Sequence, residues 1–442
     1  MRRPSPDISP PGWQPPAQED GFTLHLRLIT PLFGGGYESR EVDPVCIIRP
    51  ATVRGNLRFW WRALYGGQYG SAKELFAEEA KLWGAAAYTS SDKKVCLSEG
   101  QVRLWVDVLD RGKAVPCAQY IWDPQKQGYK SIPRFRQGYP SYALHPFQGR
   151  LAKGGKKVEE EPATAYEDVE FRLRVVFPSH LRPQVTSAFT AWIRYGGIGA
   201  RTRRGCGSLM VVNAQGVELA LHKVISQPTQ VKLPVTLLVG SHYILGPPQQ
   251  TPLRAWAVAV QAYQAFRQGA GFARGGSQSH GRPGRSFYPE PDSIRRLLKT
   301  HSYHHRPEHP VELGFPRADL GLPIVFHFKD QRDGDPPDTS LQGPEQGRLR
   351  FASPVITKAL PDGNGNFLPL IMVLNSPHVW WLDSLHLDVI GQKKSFSIAR
   401  DRVNLGIEEL KKIKPLNGKP VREALLAYVS SQWKSPVQEW KP

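Results

Sequence analysis

The sequence predicts an α+β protein of two β-α-β-β-α-β units, each interrupted by long insertions. Three observations predict it. Short runs alternating apolar and polar residues, as half-buried strands do, bracket two helix-period apolar stripes in the first half. A strand-like run followed by a helix pattern restarts near Val231. The 442 residues, 40% of them hydrophobic with twelve tryptophans, are enough for two or three cored domains.

Phe22–Thr30 (FTLHLRLIT) alternates and stops at Pro31 and the glycine turn Gly34–Gly36. A helix follows over Thr52–Leu64, with Thr52 as N-cap. Val53, Leu57, Trp60, Trp61 and Leu64 fall on one face of it. Strands are expected at Gln101–Leu109 and Glu170–Phe177. Val185, Ala188, Phe189 and Trp192 mark a second helix, closed at Gly196 by a left-handed cap. Ser208–Asn213 is the closing strand. This order is the ferredoxin-like (RRM-like) unit. Residues 66–100, with an extra helix at Ala72–Trp83, and 111–168, a long loop rich in Tyr, Pro, Lys and Arg, are insertions. Loops of that length inside a domain are usually functional or disordered.

The second unit begins with a strand at Leu233–Gly240 and a helix at Leu253–Arg267. Further strands are expected at Leu322–Phe328, Pro354–Ala359 and Phe367–Leu374, and a last helix at Val421–Trp433. No closing strand is legible after that helix. The division is a Pro-rich disordered tail at 1–21, a first RRM-like domain at 22–225 and a second at 231–442.

Lys and Arg number 58 against 39 Asp and Glu, so the net charge is 58 − 39 = +19, and the pI is near 9.8. Such an excess favours a polyanionic partner, nucleic acid before an anionic membrane. No apolar run approaches the ~20 residues that span a bilayer. Cys46, Cys96, Cys117 and Cys206 form no CxxC pair, which supports neither a zinc knuckle nor a disulfide framework. With no apolar signal segment in the tail, a reducing cytoplasm is the simplest location.

The most informative stretch is Gly196–Gly207 (GGIGARTRRGCG). Gly196, Gly197, Gly199, Gly205 and Gly207 permit positive φ and close backbone approach, and Arg201, Arg203 and Arg204 suit phosphate oxygens. Arg54, Arg58 and Arg62 recur every four residues on the first helix, with Arg49 just ahead of it, and make a basic stripe. In a β-α-β-β-α-β unit the loops after the first strand and after the second helix lie close together. The two glycine segments are therefore expected to share one ligand, a phosphodiester backbone. Arg282 and Arg285 sit in a second glycine-arginine segment, Gly269–Arg285. His301, His304, His305 and His309 are read as solvated loop residues, since no regular element fixes them and no carboxylate constellation accompanies them. Lone His25 is read as structural. GGIGARTRRG lacks the Lys-Ser/Thr ending of a Walker loop and precedes a strand, so ATP hydrolysis is unsupported. No cofactor and no metal site is expected.

These motifs resemble the RAMP superfamily of CRISPR systems, and within it the two-domain subunit of type III-B (Cmr) effector complexes. The stretches that carry the likeness are ITPLFGGG (Ile29–Gly36), RPATVRGNLRFWWRAL (Arg49–Leu64) and GGIGARTRRGCGSL (Gly196–Leu209). GRSFYPEPDSIR (Gly284–Arg295), LGLPIVFHF (Leu320–Phe328) and ASPVITK (Ala352–Lys358) add to it. The resemblance implies a non-catalytic RNA-binding subunit at the end of the complex that holds the 3′ part of the CRISPR RNA. It would sit beside another RAMP subunit and help capture target RNA. Two alternatives stay open: a metal-independent endoribonuclease using His25 or the 301–309 cluster, and a capping subunit that touches protein more than RNA.

Overall fold

The computed structural model describes residues 18–38, 40–89, 95–133, 138–152, 154–219, 234–276, 284–344 and 350–441. The first sheet contains β1 (Glu19–Leu28), β2 (Arg103–Asp110), β3 (Glu170–Pro178) and β4 (Leu209–Gln215), all antiparallel to their neighbours, in the order β4-β1-β3-β2. Two helices connect them, α1 (Pro50–Tyr65) between β1 and β2 and α3 (Arg182–Tyr195) between β3 and β4. Between α1 and β2 lies α2 (Ala72–Trp83), capped by Ser71 and coincident with the expected extra helix.

The second half repeats the same arrangement. Its strands are β5 (Leu237–Leu245), β6 (Val355–Pro361), β7 (Phe367–Asn375) and β8 (Gln438–Glu439), in the order β8-β5-β7-β6. Its helices are α4 (Pro252–Gln268) and α6 (Val421–Trp433), with α5 (Glu290–Leu298) inserted. The closing strand that the sequence hid is β8, two residues paired to His242 and Tyr243. The run expected at Leu322–Phe328 forms only Ile324–Phe326, an edge strand of a separate four-stranded sheet with Thr339–Gln342, Ser384–Val389 and Ser395–Ala399.

Strand patterns report how the layers stack. β3 alternates buried and open residues because one face of the first sheet meets solvent. β7 is buried continuously from Pro369 to Leu374. Leu370, Met372 and Leu374 join the core of α1, α3 and the first sheet, while Ile371 and Val373 join the core beneath α4 and α6. The layers therefore run first sheet, α1 with α3, second sheet, α4 with α6. This also explains α3, whose Thr186, Ser187 and Thr190 are buried along with its apolar stripe: it is covered on both flanks. Trp440, 4% exposed, leaves β8 and enters the first core, its backbone N–H bonded to Ser241 O at 2.7 Å.

Several expectations need correction. The helix at Thr52–Leu64 starts at Pro50 with Arg49 as N-cap, since proline at the first helical position has no amide to leave unsatisfied. Gly196 does not adopt a left-handed cap; its φ is −92° and ψ −155°. Glycine is needed there for space, because a Cβ would lie 2.5 Å from Trp60 Nε1. The segment 111–168 is no structureless loop. It carries the hairpin Ala118–Asp123/Gly128–Pro133, and Lys113–Pro116 pairs with Thr164–Glu167. The strand expected at Leu233–Gly240 is displaced to Leu237–Leu245, and its register breaks between Leu237 and His242 around Gly240, at φ +72°.

One buried cation ties the layers together. Lys358 on β6, fully buried, donates to Ile193 O at 2.9 Å and Gly196 O at 2.5 Å at the C-terminal end of α3. These are carbonyls with no intrahelical donor, at the negative end of the helix dipole. Burial pushes the Lys358 amine down to about 7. Lys358→Met should lower stability by roughly 1–3 kcal/mol, the cost of stranding buried acceptors, read by chemical denaturation. Between pH 7 and the ordinary lysine value of 10.5, the unfolded chain binds a proton that the folded chain does not. Wild-type stability relative to the Met variant should therefore rise with pH across that window, being fully present above it and lost as pH falls toward 7. Parallel pH–stability curves for the two proteins would refute this.

Candidate nucleic-acid interface

Adjacent pairing of β1 and β4 forces the segment after β1 against the segment before β4. Ile29 N–H donates to Ser208 O at 2.9 Å, Gly207 N–H to Pro31 O at 2.9 Å and Ala200 N–H to Phe33 O at 2.6 Å. The Gly34–Gly36 turn and the glycine-arginine loop thus meet, as the loop geometry of the unit requires. Gly35 has φ +90°, and a Cβ on it would lie 3.2 Å from Gly199 Cα. A Cβ on Gly199, at φ +85°, would lie 2.6 Å from Phe33 O. The two turns pack backbone to backbone.

The rest of the loop faces the second half. Arg203 donates to Ser353 O and lies 5.4 Å from the Phe59 ring. Burial, then the neighbouring Arg204, pushes Arg203 down to about 10, so it stays charged at neutral pH. Arg204 donates to Val355 O at 2.7 Å and Ser353 Oγ at 3.0 Å and stacks 4.6 Å over Tyr263. Trp256 Nε1 donates back to Arg204 O. A Cβ at Gly205 would sit 2.6 Å from Thr357 O, at Gly197 2.8 Å from Gly207 O, and at Gly207 2.0 Å from Ile198 O. The close approaches for which Gly196, Gly197, Gly205 and Gly207 are needed are therefore made within the chain itself.

The arginine stripe divides in the same way. Glu79 of α2, 2% exposed, accepts from Arg58 Nε and from Arg62 Nη1 at 2.7 and 2.8 Å. Arg58 also donates to Gly84 O at 3.2 Å. Arg54 is different: among the described residues it has no ion pair, and its Nε is buried without a hydrogen-bond partner. Arg201, in left-handed backbone at φ +58°, also has a buried Nε without a partner. Burial, then repulsion from Arg204, lowers its pKa. Arg49 donates to Gly35 O, joining the glycine turn to the start of α1. The first turn of α1 holds no acidic residue, and space around Gly55 is open. Arg49, Arg201 and the N-terminal end of α1, its positive end, thus lie at the meeting point of the two turns, with Arg54 farther along the same helix.

Other sequence candidates lie elsewhere. Arg285 is held by Asp292 at 3.0 Å, Glu308 at 3.1 Å and Arg306 O at 2.7 Å. Arg282 lies outside the described residues. His25 bonds Glu170 at 2.7 Å on the open face of the first sheet. The histidine cluster is not simply solvated. His305 Nδ1 lies 2.9 Å from Asp335, and His309 is held between the Val311 amide and Phe287 O, its pKa lowered chiefly by burial. The carboxylates near His305, Asp330 and Asp335, come from a distant segment that spacing alone does not reveal. Sequence reasoning also missed Lys358 and Glu79. The signal for Lys358 was a charge inside the apolar run VITKAL; Glu79 sits among similar acids and carried none.

Arg58→Gln or Arg62→Gln should each cost about 1–3 kcal/mol, because buried Glu79 loses one of its two charged donors. Arg54→Gln should change stability by less than about 0.5 kcal/mol. Thermal denaturation of the three variants separates the structural from the free cations, and equal losses would overturn the division.

Residues 25–210, from β1 into β4, match the RAMP superfamily. Over 191 residues the chain is 29% identical to CRISPR system Cmr subunit Cmr1-2 of Pyrococcus furiosus, an alignment covering 42% of this chain and 92% of that protein. Among solved structures, it is similar to apo Cmr1 from Pyrococcus furiosus, with 16% identity, a TM-score of 0.44 and coverage of 95% of this chain and 99% of that one. A chain of the Type III-B Cmr-beta complex bound to cognate target RNA has 12% identity and a TM-score of 0.40, with coverage of 92% and 100%. The family match takes in the stretches Ile29–Gly36, Arg49–Leu64 and Gly196–Leu209, so the likeness to the RAMP superfamily lies in residues 25–210.

Proposed function

We propose that this protein is a non-catalytic RNA-binding subunit of a type III-B CRISPR (Cmr) ribonucleoprotein effector complex, built on two ferredoxin-like units. In this reading it sits at the end that holds the 3′ part of the CRISPR RNA, beside another RAMP subunit, and helps capture target RNA. The observation that carries the reading is the placement of Arg49 and Arg201 at the two glycine turns, with Arg54 farther along α1 and with the Nε atoms of Arg54 and Arg201 lacking hydrogen-bond partners among the described residues. A ribose-phosphate strand supplies the missing acceptors, and the +19 charge supplies long-range attraction. Guanidinium and helix-end contacts position a backbone without reading bases, so the grip is sequence-tolerant. The relative Cmr1-2 supports the assignment to a Cmr complex.

The test is a filter-binding titration of single-stranded RNA across salt concentrations. Arg54→Gln with Arg201→Gln should weaken binding on the order of tenfold and flatten the log–log salt slope by about 1.4, or about 0.7 for each phosphate no longer neutralised. Unchanged affinity and slope would sink the reading.

A further inference from the structure

The second half holds a cavity of about 380 Å³ between the end of α4, the turn at Ala273–Arg274, the start of α5 and Phe326–Asp330. That volume lies within the range of small-ligand sites. Its wall is a connected set of ion pairs. Arg285 meets Asp292 at 3.0 Å, Asp292 meets Arg295 at 3.0 Å, and Arg295 grips both oxygens of Asp335 at 3.0 and 3.1 Å. Arg317, paired with Glu290 at 3.0 Å, stacks 4.6 Å over Tyr288. Those cations are balanced. Three more that line the cavity are not.

Arg267, Arg274 and Lys329 have no carboxylate partner among the described residues, and Arg274 Nε is buried with no acceptor. Tyr288, Phe326 and Phe328 line the same space, with Arg295 stacked 5.1 Å from Phe328. A metal ion is the competing occupant, since His305, Asp330 and Asp335 each offer an atom within 4.8 Å of the others. However, Asp335 already spends both oxygens on a guanidinium, whose charge repels a second cation. Surplus positive charge beside aromatic faces suits an anion that carries a ring.

We infer that this cavity binds a nucleotide through its phosphate, with Arg274 and Lys329 on the phosphate and the base against Phe328. The ligand is either a free nucleotide or one residue of an RNA strand. Titration calorimetry on the full chain with AMP, inorganic phosphate and adenosine tests it. AMP should bind more tightly than phosphate, and adenosine should not register. Arg274→Gln with Lys329→Gln should lose at least tenfold in AMP affinity at unchanged melting temperature. Displacement of AMP by a short RNA bearing a terminal phosphate, but not by the same RNA without it, assigns the strand; displacement by neither assigns the free nucleotide. No AMP binding, AMP no tighter than phosphate, or affinity indifferent to the double substitution would each overturn the inference. Arg54→Gln with Arg201→Gln should leave AMP binding intact, so a failure here is distinguishable from failure of the RNA interface.

Discussion

A lysine amine sealed between the second sheet and α3 governs how this molecule is assembled. Lys358 stands between Ile356 and Leu360 on β6, both in the first core, and reaches the last carbonyls of α3. Removing such a polar group from water is costly, and only well-placed acceptors offset the cost. The α3 terminus supplies two of them, and one belongs to Gly196, where the glycine-arginine loop begins. The same contact therefore fixes the stacking of the second sheet on α3 and the path of the loop that follows. Arg203 and Arg204 extend the joint to Ser353 and Val355.

This joint consumes cations that a reader of composition would assign to the surface. Arg203 and Arg204 serve the contact between halves, Arg58 and Arg62 serve Glu79, and Arg285 serves Asp292. The proposed contact with a polyanion is left a smaller set, Arg54 and Arg201 foremost, whose Nε atoms have no hydrogen-bond partner among the described residues. A guanidinium held still by packing but left without an acceptor is already oriented for a ligand, so less conformational freedom is lost when one binds.

Sequence pattern revealed some elements and concealed others for physical reasons. α2 was legible to the residue because its apolar period starts at a capping serine, Ser71; α6 showed as an apolar run that follows Pro420. β7, apolar on both faces, showed as a run but gave no sign of which partners it meets. β8 was invisible, since two residues carry no period and only pairing with β5 makes them a strand. Gly240 read as a strand end when it is a kink inside one. At the interface, the sequence brought the two glycine segments together correctly because β1 and β4 are neighbours in the topology it implied. It could not separate Arg54 from Arg58, because the difference lies in a carboxylate on another helix.

Residues 438–440 are a wedge. The β8 pairing holds them on β5, and Trp440 sits among side chains of the first unit. Deleting Gln438–Trp440 would therefore take an edge strand from the second sheet and a buried indole from the first core together. An affinity tag joined there would have to leave the indole seated in order to be harmless.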